Sequence, residues 1–246
     1  MNVSVIASGS NGNCCLLEDK DTSVLLDAGI SIKEYEKRMQ RLEKDPALTK
    51  AIVITHAHRD HIKGAGPISR KYNIPILITQ QTYADSSTII KKAEVRFFST
   101  LSDFKIGNMN ITPIRTSHDV FSCGFKINDF GLFTDTGIIT SQIREVFPKL
   151  KSVLIEANYD HDMLKNGNYP QFLKKRIFSD VGHLDNKDTC DFLQKEGKHL
   201  DLLLLGHLSG NNNTPDVLRE TFESIVSHKF DYEICSRDRE SGSWKV

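Results

Sequence analysis

The stretch Thr55-His56-Ala57-His58-Arg59-Asp60-His61 follows directly on the apolar run Ala51-Ile52-Val53-Ile54. It places four side chains able to bind a metal within six residues, a density that packing alone does not require. The β-branched residues before the motif and the glycines after it, Gly64 and Gly66, predict a strand that ends in a loop. The motif therefore lies at the carboxyl end of a strand, where open sheets tend to bind ligands.

The spacing within the motif is compatible with one metal site or with two. Residues two apart in an extended segment point the same way, so His56 and His58 can converge on one ion while Asp60 and His61 turn toward a second. The alternative is a set of ordinary core or surface histidines, because two histidines at this spacing often arise by chance. Three histidines and an aspartate in this order favour metal binding.

Length and composition are those of an ordinary globular protein. The chain has 246 residues, of which 39% are hydrophobic and 26% charged, and we expect one domain over residues 1–246. Lys+Arg and Asp+Glu both number 32, so the net charge of zero provides no overall attraction to nucleic acid. A polyanionic partner would have to be bound by a local basic patch or by metal.

The cysteines and the chain's apolar runs predict a cytoplasmic location. The amino terminus carries no basic residue of the kind that begins a signal peptide, and Leu202 to Leu205 is far short of a membrane span. The five cysteines are an odd number and form no CxxC pair. They indicate reduced thiols, neither a disulfide framework nor a zinc ribbon.

Strand and helix patterns alternate along the chain, which predicts an α/β protein built in layers. Ser31 is a candidate N-cap, and Glu34 three residues later completes a capping box. Beside the strand at 52–54, we expect strands at residues 3–6, 14–17, 23–26, 76–79, 95–98, 109–114, 124–127, 132–134, 153–155, 202–205 and 232–235, and helices at 31–44, 62–72, 81–92, 170–178 and 215–227, with a further helix opening at 182–186.

Other strand ends carry further candidate residues. A lone histidine such as His118, just after a strand, is more often a bystander, but a nearby cluster that lacks ligands makes it a candidate ligand. Asp27 and Asp135 each end an apolar strand in an Asp-x-Gly sequence. This repeated pattern is consistent with an internally duplicated sandwich, although strands often end in such a turn. Asp27 is equally a candidate turn residue or a residue that orients a metal ligand.

With these residues taken together, the sequence resembles the metallo-β-lactamase-fold hydrolases. The THAHRDH motif, His118, Asp135 and His207 occur in that family's order along the whole chain. The segments SGSNGNC at 8–14, EANYD at 156–160, GHLDN at 182–186 and GHLSGNN at 206–212 resemble the YycJ/WalJ group of bacterial proteins. The resemblance implies an α/β fold, a four-layer αββα sandwich with metals at one sheet edge.

The resemblance also implies a ligand set for two divalent ions, zinc foremost and manganese or iron as alternatives. Asp135 stands where zinc β-lactamases commonly have cysteine, which disfavours lactam hydrolysis. His58 stands where flavo-diiron relatives carry glutamate, which argues against a redox iron centre. The implied ligands are His56, His58 and His118 for the first ion, Asp60, His61 and His207 for the second, and Asp135 as the bridge.

The GHLDN segment followed by a later GHLS is similar to the motif pattern of phosphodiesterases and nucleases of the superfamily. In those enzymes the earlier histidine faces the scissile phosphate. We therefore expect a metal-bridging hydroxide as nucleophile, Asp60 as the group that orients it and accepts its proton, and His183 as an acid or charge stabiliser. Asp185 departs from the serine usual in the group, although its capping function would survive. The candidate substrate contacts are Ser10, Asn11, Ser209 and Asn212.

The resemblance implies a 5′ to 3′ exonuclease with DNA as its partner. A small-molecule phosphodiesterase or thioester hydrolase on the same scaffold is the first alternative, and a non-catalytic metal-binding module is the second. The basic helix at 170–178 is either a solvated face or a phosphate-binding surface. The basic residues available to bind phosphate are Lys174, Lys175, Arg176, Arg237 and Arg239.

Overall fold

Two seven-stranded sheets form the centre of the protein. The computed structural model describes residues 1–229 and 231–246. The first sheet has the order β14-β1-β2-β3-β4-β5-β6 and the second β13-β12-β11-β10-β9-β8-β7. The strands are β1 Asn2–Ala7, β2 Cys14–Asp19, β3 Thr22–Leu26, β4 Ala51–Val53, β5 Ile76–Ile78, β6 Val95–Phe97, β7 Phe104–Ile106, β8 Met109–Arg115, β9 Cys123–Ile127, β10 Phe130–Phe133, β11 Ser152–Glu156, β12 Leu202–Gly206, β13 Asp231–Ile234 and β14 Gly242–Lys245.

Helices cover the outer face of each sheet. Three apolar clusters separate the layers: one lies between the two sheets, one joins the first sheet to α1 and α3, and one joins the second sheet to α5, α8 and α9. This is the expected four-layer αββα sandwich, and the prediction is confirmed. The helices are α1 Ile32–Arg41, α2 Arg59–Ile62, α3 Ala65–Tyr72, α4 Gln80–Ser86, α5 Ser141–Val146, α6 His161–Asn166, α7 Gln171–Ile177, α8 Asn186–Glu196 and α9 Pro215–Ile225.

The carboxyl ends of the site-bearing strands lie at one end of the sandwich. In the first sheet β3 and β4 are parallel, and in the second sheet β10, β11 and β12 are parallel. β8 runs in the same direction as β10, because both are antiparallel to β9. Every segment that follows these strands therefore meets the others at the same edge.

The helix predicted at 62–72 is wrong in its first part. The chain forms a single turn of helix at α2, breaks at Lys63 and Gly64, and begins α3 at Ala65. The Gly64 N–H donates to Ala28 O at 2.8 Å, and a Cβ at Gly64 would lie 2.0 Å from Ile30 O. Because the segment after β3 approaches Gly64 this closely, the helix cannot continue from α2 into α3. Asp60 and His61 lie on the short helix rather than on an extended segment.

The helix predicted at 81–92 is also too long. It ends at Ser86, whose hydroxyl donates to Thr82 O at 2.6 Å. Serine and threonine side chains that bond to nearby backbone groups compete with helix propagation, which explains the stop in this hydroxyl-rich segment. The Ser31 N-cap is confirmed, because its side chain accepts a hydrogen bond from Glu34 N at 3.2 Å. The reciprocal half of the capping box is absent, since Glu34 pairs with Arg38 instead.

Three strand-ending residues adopt a left-handed backbone. Asp27, Asp135 and His207 have φ values of +57°, +59° and +58°, and they follow β3, β10 and β12. This conformation costs roughly 1–2 kcal/mol for a residue with a Cβ, and such strain is found at functional sites. The turn bends each chain sharply at the sheet edge, so that all three side chains reach the same pocket.

The five cysteines are buried and unpaired, as the sequence predicts. Within residues 1–229 and 231–246, every helix falls short of the length and apolar character that a membrane span requires.

Candidate metal centre

The seven predicted ligands lie in one pocket at the sheet edge. They come from the loop and short helix after β4 and from the segments after β8, β10 and β12. Their ligand atoms form two main groups, within each of which every atom lies within 4.8 Å of the others. The first group is His56, His58, His118 and Asp135, and the second is Asp60, His61 and His207. A third set, Asp135, His183 and His207, meets the same distance limit and brings His183 to the edge of both groups.

Asp135, counted with the first group, also lies close to the second. Its Oδ1 is 3.8 Å from His56 Nε2 and 3.6 Å from His118 Nε2, while its Oδ2 is 3.1 Å from His61 Nε2. Asp135 Oδ1 is also 3.5 Å from His207 Nε2. Oδ1 is thus close to nitrogens of both groups and Oδ2 to the second group, a position from which a carboxylate could bridge two ions; the bridging role stays a prediction.

Buried polar atoms without partners show that the pocket suits a cation. His56 Nε2, His207 Nε2 and Asp135 Oδ2 are buried and have no hydrogen-bond partner among the described residues. Buried polar atoms are normally satisfied, and imidazole nitrogen with carboxylate oxygen is a donor set for divalent transition metals. The orphaned atoms therefore face the place where an ion would bind.

Asp27 and Thr55 orient the rings of His56 and His61. Asp27 Oδ2 lies 2.7 Å from His61 Nδ1, and Asp27 Oδ1 accepts a hydrogen bond from Thr55 N at 2.9 Å. Thr55 Oγ1 lies 2.9 Å from His56 Nδ1. When Nδ1 of a histidine donates to a carboxylate, Nε2 is left with its lone pair toward the metal. The structure thus favours the orienting role of Asp27 over a turn role alone.

Glu156 is a buried carboxylate that the sequence analysis did not assign to the site. Its Oε2 lies 3.1 Å from both His183 Nδ1 and His207 Nδ1, and its Oε1 accepts hydrogen bonds from Thr136 N at 2.8 Å and Leu184 N at 3.2 Å. It therefore orients a predicted ligand and the predicted catalytic histidine together. The sequence signals for it were its position at the end of the apolar strand at 153–155 and its place at the start of the EANYD segment.

The carboxylates of the pocket affect the two ligand groups differently. Burial and the neighbouring His61 hold the pKa of His56 well below its usual value, and burial and His118 lower that of His58, which favours neutral rings. Burial also lowers the pKa of His61 and His207, but the carboxylates around them, Asp135 foremost, raise it by more, that of His61 well above its usual value and that of His207 to about 10. These two rings would release a proton on binding a metal.

Burial raises the pKa of Glu156, but the hydrogen-bonded His183 and the nearby His207 lower it by a larger amount, so that the pKa falls to about 2. The pocket therefore holds an ionised carboxylate even at low pH, which favours a divalent cation.

Asp119 is a second carboxylate that the sequence analysis missed. Its Oδ1 lies 3.4 Å from His58 Nε2 and 3.3 Å from His118 Nε2, and its Oδ2 accepts a hydrogen bond from Arg176 Nη1 at 2.9 Å. It therefore connects the first ligand group to the basic helix α7. Arg176 is half exposed at the rim, whereas Lys174 is buried and donates to Lys165 O at 2.8 Å.

The predicted substrate contacts divide into two pairs. Ser10 and Asn11 are exposed on the loop between β1 and β2. Ser209 and Asn212 are buried, and Ser209 Oγ accepts hydrogen bonds from Asn211 N at 3.4 Å and Asn212 N at 3.3 Å. The second pair therefore uses its polar groups to brace the loop after β12.

An αββα sandwich with a histidine and aspartate cluster at one edge defines a metal-dependent hydrolase of the metallo-β-lactamase type. Residues 22–207 match the β-lactamase superfamily domain profile. YhfI of Bacillus subtilis, a metallo-β-lactamase-fold protein, superposes with a TM-score of 0.77 at 18% identity, covering 100% of this chain and 99% of that one.

Sequence relatives define the family more narrowly. The chain is 32% identical to exodeoxyribonuclease YycJ of Bacillus anthracis, over 93% of this chain and 90% of the relative. It is 33% identical to exodeoxyribonuclease WalJ of Streptococcus pneumoniae, over 89% of this chain and 85% of the relative. The chain therefore belongs to the YycJ/WalJ family of metallo-β-lactamase-fold hydrolases, and the predicted family is confirmed.

Proposed function

We propose that this chain is a dinuclear metal-dependent phosphodiesterase that degrades DNA as a 5′ to 3′ exonuclease. The observation that carries the proposal is the His183–Glu156 pair beside the ligand groups: His183 Nδ1 is 3.1 Å from Glu156 Oε2 and 3.9 Å from Asp135 Oδ1. A histidine anchored through Nδ1 presents Nε2 to a substrate bound at the cluster. The names of the two relatives support DNA as that substrate.

In the proposed reaction, His56, His58 and His118 would hold one ion, Asp60, His61 and His207 would hold the other, and Asp135 would contribute its carboxylate to both. Two divalent ions, with zinc as our first choice, would lower the pKa of a bound water and stabilise charge on the phosphate.

The chain's own residues orient the reactants and move the protons. Asp60 carries a second carboxylate oxygen and is part exposed, so it can orient the attacking water and accept its proton. His183, 14% exposed, stabilises the phosphate or protonates the leaving oxygen. Glu156 positions it and stabilises the imidazolium that this role requires.

The face of α7 beside the cluster supports a nucleic acid substrate. Phe172 is 75% exposed, and Lys175 and Arg176, three and four residues later, share its face and are also exposed. Exposed aromatic and basic side chains together bind single strands by base stacking and phosphate pairing. Arg176 joins this face to the ligand groups through Asp119.

The substitution Phe172→Ala should raise the KM for single-stranded DNA about tenfold, because one stacked base contributes roughly 1–3 kcal/mol. Steady-state cleavage of a labelled oligonucleotide measures this. Leu101→Ala is the matched control, since Leu101 is 95% exposed but not on α7, and we expect it to leave the KM unchanged. A KM for Phe172→Ala equal to that of the parent would remove α7 from the substrate surface.

The function itself is tested with single- and double-stranded DNA labelled at either end. We expect the purified protein with Zn²⁺ or Mn²⁺ to release nucleotides from the 5′ end. A chelator should abolish cleavage, and added metal should restore it. Hydrolysis of only bis-p-nitrophenyl phosphate or a cyclic nucleotide would favour the small-molecule alternative. Bound metal without turnover on any of these substrates would favour the alternative of a non-catalytic metal-binding module.

The same proposal extends to the enzyme's organisation and location. One apolar cluster contains residues of both sheets, which supports a single hydrolase domain over residues 1–246. The five buried thiols fit a reducing compartment such as the cytoplasm.

A further inference from the structure

The side chain of Arg237 lies against two glycines in loops beside the second ligand group. A Cβ at Gly210 would lie 1.3 Å from Arg237 Nη1, and a Cβ at Gly9 would lie 2.6 Å from Arg237 Cβ. Neither glycine has the positive φ that would require glycine for conformational reasons. Gly9 therefore lets the first loop close on the Cα and Cβ of Arg237, and Gly210 leaves room for the guanidinium group in its present position.

The guanidinium group of Arg237 has unused hydrogen-bonding capacity. Its Nε is buried and has no hydrogen-bond partner among residues 1–229 and 231–246. Its one ion-pair partner in that part of the chain is Asp238 Oδ1 at 3.7 Å, on a side chain that is 80% exposed. Such a solvated pair stabilises little, whereas arginine offers five N–H donors in a fork that matches a phosphate. Because the Arg237 side chain is 30% exposed, part of this donor capacity is accessible to an anion.

The two loops that hold Arg237 also hold the second ligand group. Ser8 Oγ accepts a hydrogen bond from His207 N at 2.9 Å, and Gly9 pairs with Leu208 in an isolated bridge. Asn13 closes the first loop, because its side chain accepts from Gly9 N at 3.0 Å and its Nδ2 lies 2.9 Å from His61 Nε2. An anion bound at Arg237 would therefore be adjacent to a substrate at the cluster.

The surroundings of Arg237 are polar and carry a second positive charge. Lys63 Nζ donates to Asn11 O at 2.8 Å, in the loop that packs on Arg237. Asn11 Nδ2 in turn donates to Arg237 O at 3.5 Å. Ser10 and Asn211 are exposed beside the two glycines and offer further donors. This composition suits a phosphate better than an apolar ligand.

We propose that Arg237, between Gly9 and Gly210, binds a phosphate of the nucleic acid strand next to the scissile one, on the His207 side of the cluster. The inference rests on the proposed nuclease function and adds a binding subsite to it. With α7 on the His118 side, the strand would cross the cluster between two positively charged surfaces.

The test compares Arg237→Gln with Arg96→Gln, since Arg96 is an arginine with a 64% exposed side chain on the edge strand β6. We expect Arg237→Gln to raise the KM for single-stranded DNA about tenfold and to reduce the slope of log affinity against log salt by about 0.7, the value for one lost phosphate contact. Hydrolysis of bis-p-nitrophenyl phosphate, which is too small to extend to a neighbouring phosphate, should be unchanged. Arg96→Gln should match the parent on both substrates.

Oligonucleotides with a 5′-phosphate and with a 5′-hydroxyl distinguish the source of the phosphate. A defect of Arg237→Gln confined to the phosphorylated end identifies a terminal phosphate, and an equal defect on both identifies an internal phosphodiester; either result supports the subsite. Arg237→Lys, which keeps the charge but loses the fork, should show a smaller defect on DNA.

Two results would overturn the subsite. One is an Arg237→Gln variant that cleaves DNA with the parent's KM and salt slope. The other is an equal loss on DNA and on bis-p-nitrophenyl phosphate, which would show that Arg237 only maintains the loops. A parent enzyme that hydrolyses the small phosphodiester but no DNA would refute the proposed nuclease function instead, so the two failures are distinguishable.

Discussion

The substitution Asp135→Asn should reduce phosphodiester cleavage on the order of 10³-fold and lower the bound metal below two ions per chain. Asp135 is buried, with imidazole nitrogens of both ligand groups 3.1 to 3.8 Å from its oxygens. A neutral amide cannot bridge two cations, and the charge stabilisation that paired ions supply is several kcal/mol. Metal analysis and cleavage of labelled DNA measure the two effects.

Asparagine is the appropriate replacement because it keeps the backbone. Residue 135 has a φ of +59°, a conformation that asparagine and aspartate tolerate better than other residues with a Cβ. Circular dichroism should therefore show an intact fold. Asp129→Asn provides the matched control, since Asp129 is exposed and pairs only weakly with Lys151 at 3.8 Å. Two bound ions and full activity in Asp135→Asn would refute the bridging role.

The substitution His183→Ala should lower kcat on phosphodiesters about 10²-fold or more while metal content stays nearly unchanged. His183 has ligand atoms close to those of Asp135 and His207 but belongs to neither of the two groups that contain the THAHRDH residues, and a positioned acid or base contributes on this scale. The loss should appear in kcat rather than in KM, and the part of the pH–rate profile that reports this group should disappear. Steady-state kinetics with bis-p-nitrophenyl phosphate and with DNA measure both effects.

His199→Ala is the control for His183→Ala. His199 also hydrogen-bonds through its ring, to Phe147 O at 2.9 Å, but it precedes β12 at the opposite end of the strand from His207. We expect it to lower stability slightly and to leave kcat unchanged. If His183→Ala retained the parent's kcat, His183 would have no part in the mechanism. If it lost metal as well as activity, His183 would be a ligand rather than an acid.

Most of the fold could be predicted because its signals are local. Apolar runs identified strands such as β11 and β12, whose side chains are buried on both faces. β7 and β14 were missed, since both are short edge strands with weak patterns. β14 exists because it pairs with β1 from the other end of the chain, as in Val3 with Trp244. Such a pairing leaves no local trace in sequence.

Residue type and spacing in the sequence indicated a layered α/β protein and a metal site at His56, His58, Asp60 and His61, with His118 as a further candidate, because these side chains cluster at strand ends. The resemblance to a known family added Asp135 and His207 and the class of hydrolase. Only the tertiary structure revealed Glu156 between His183 and His207, 27 and 51 residues away, and Asp119 next to Arg176, 57 residues away. It alone showed Arg237 held between Gly9 and Gly210. Those partners are far apart in the chain, and most of them follow or connect strands of the second sheet. The pairing of those strands, and for Gly9 the packing of the first sheet against the second, brings them together.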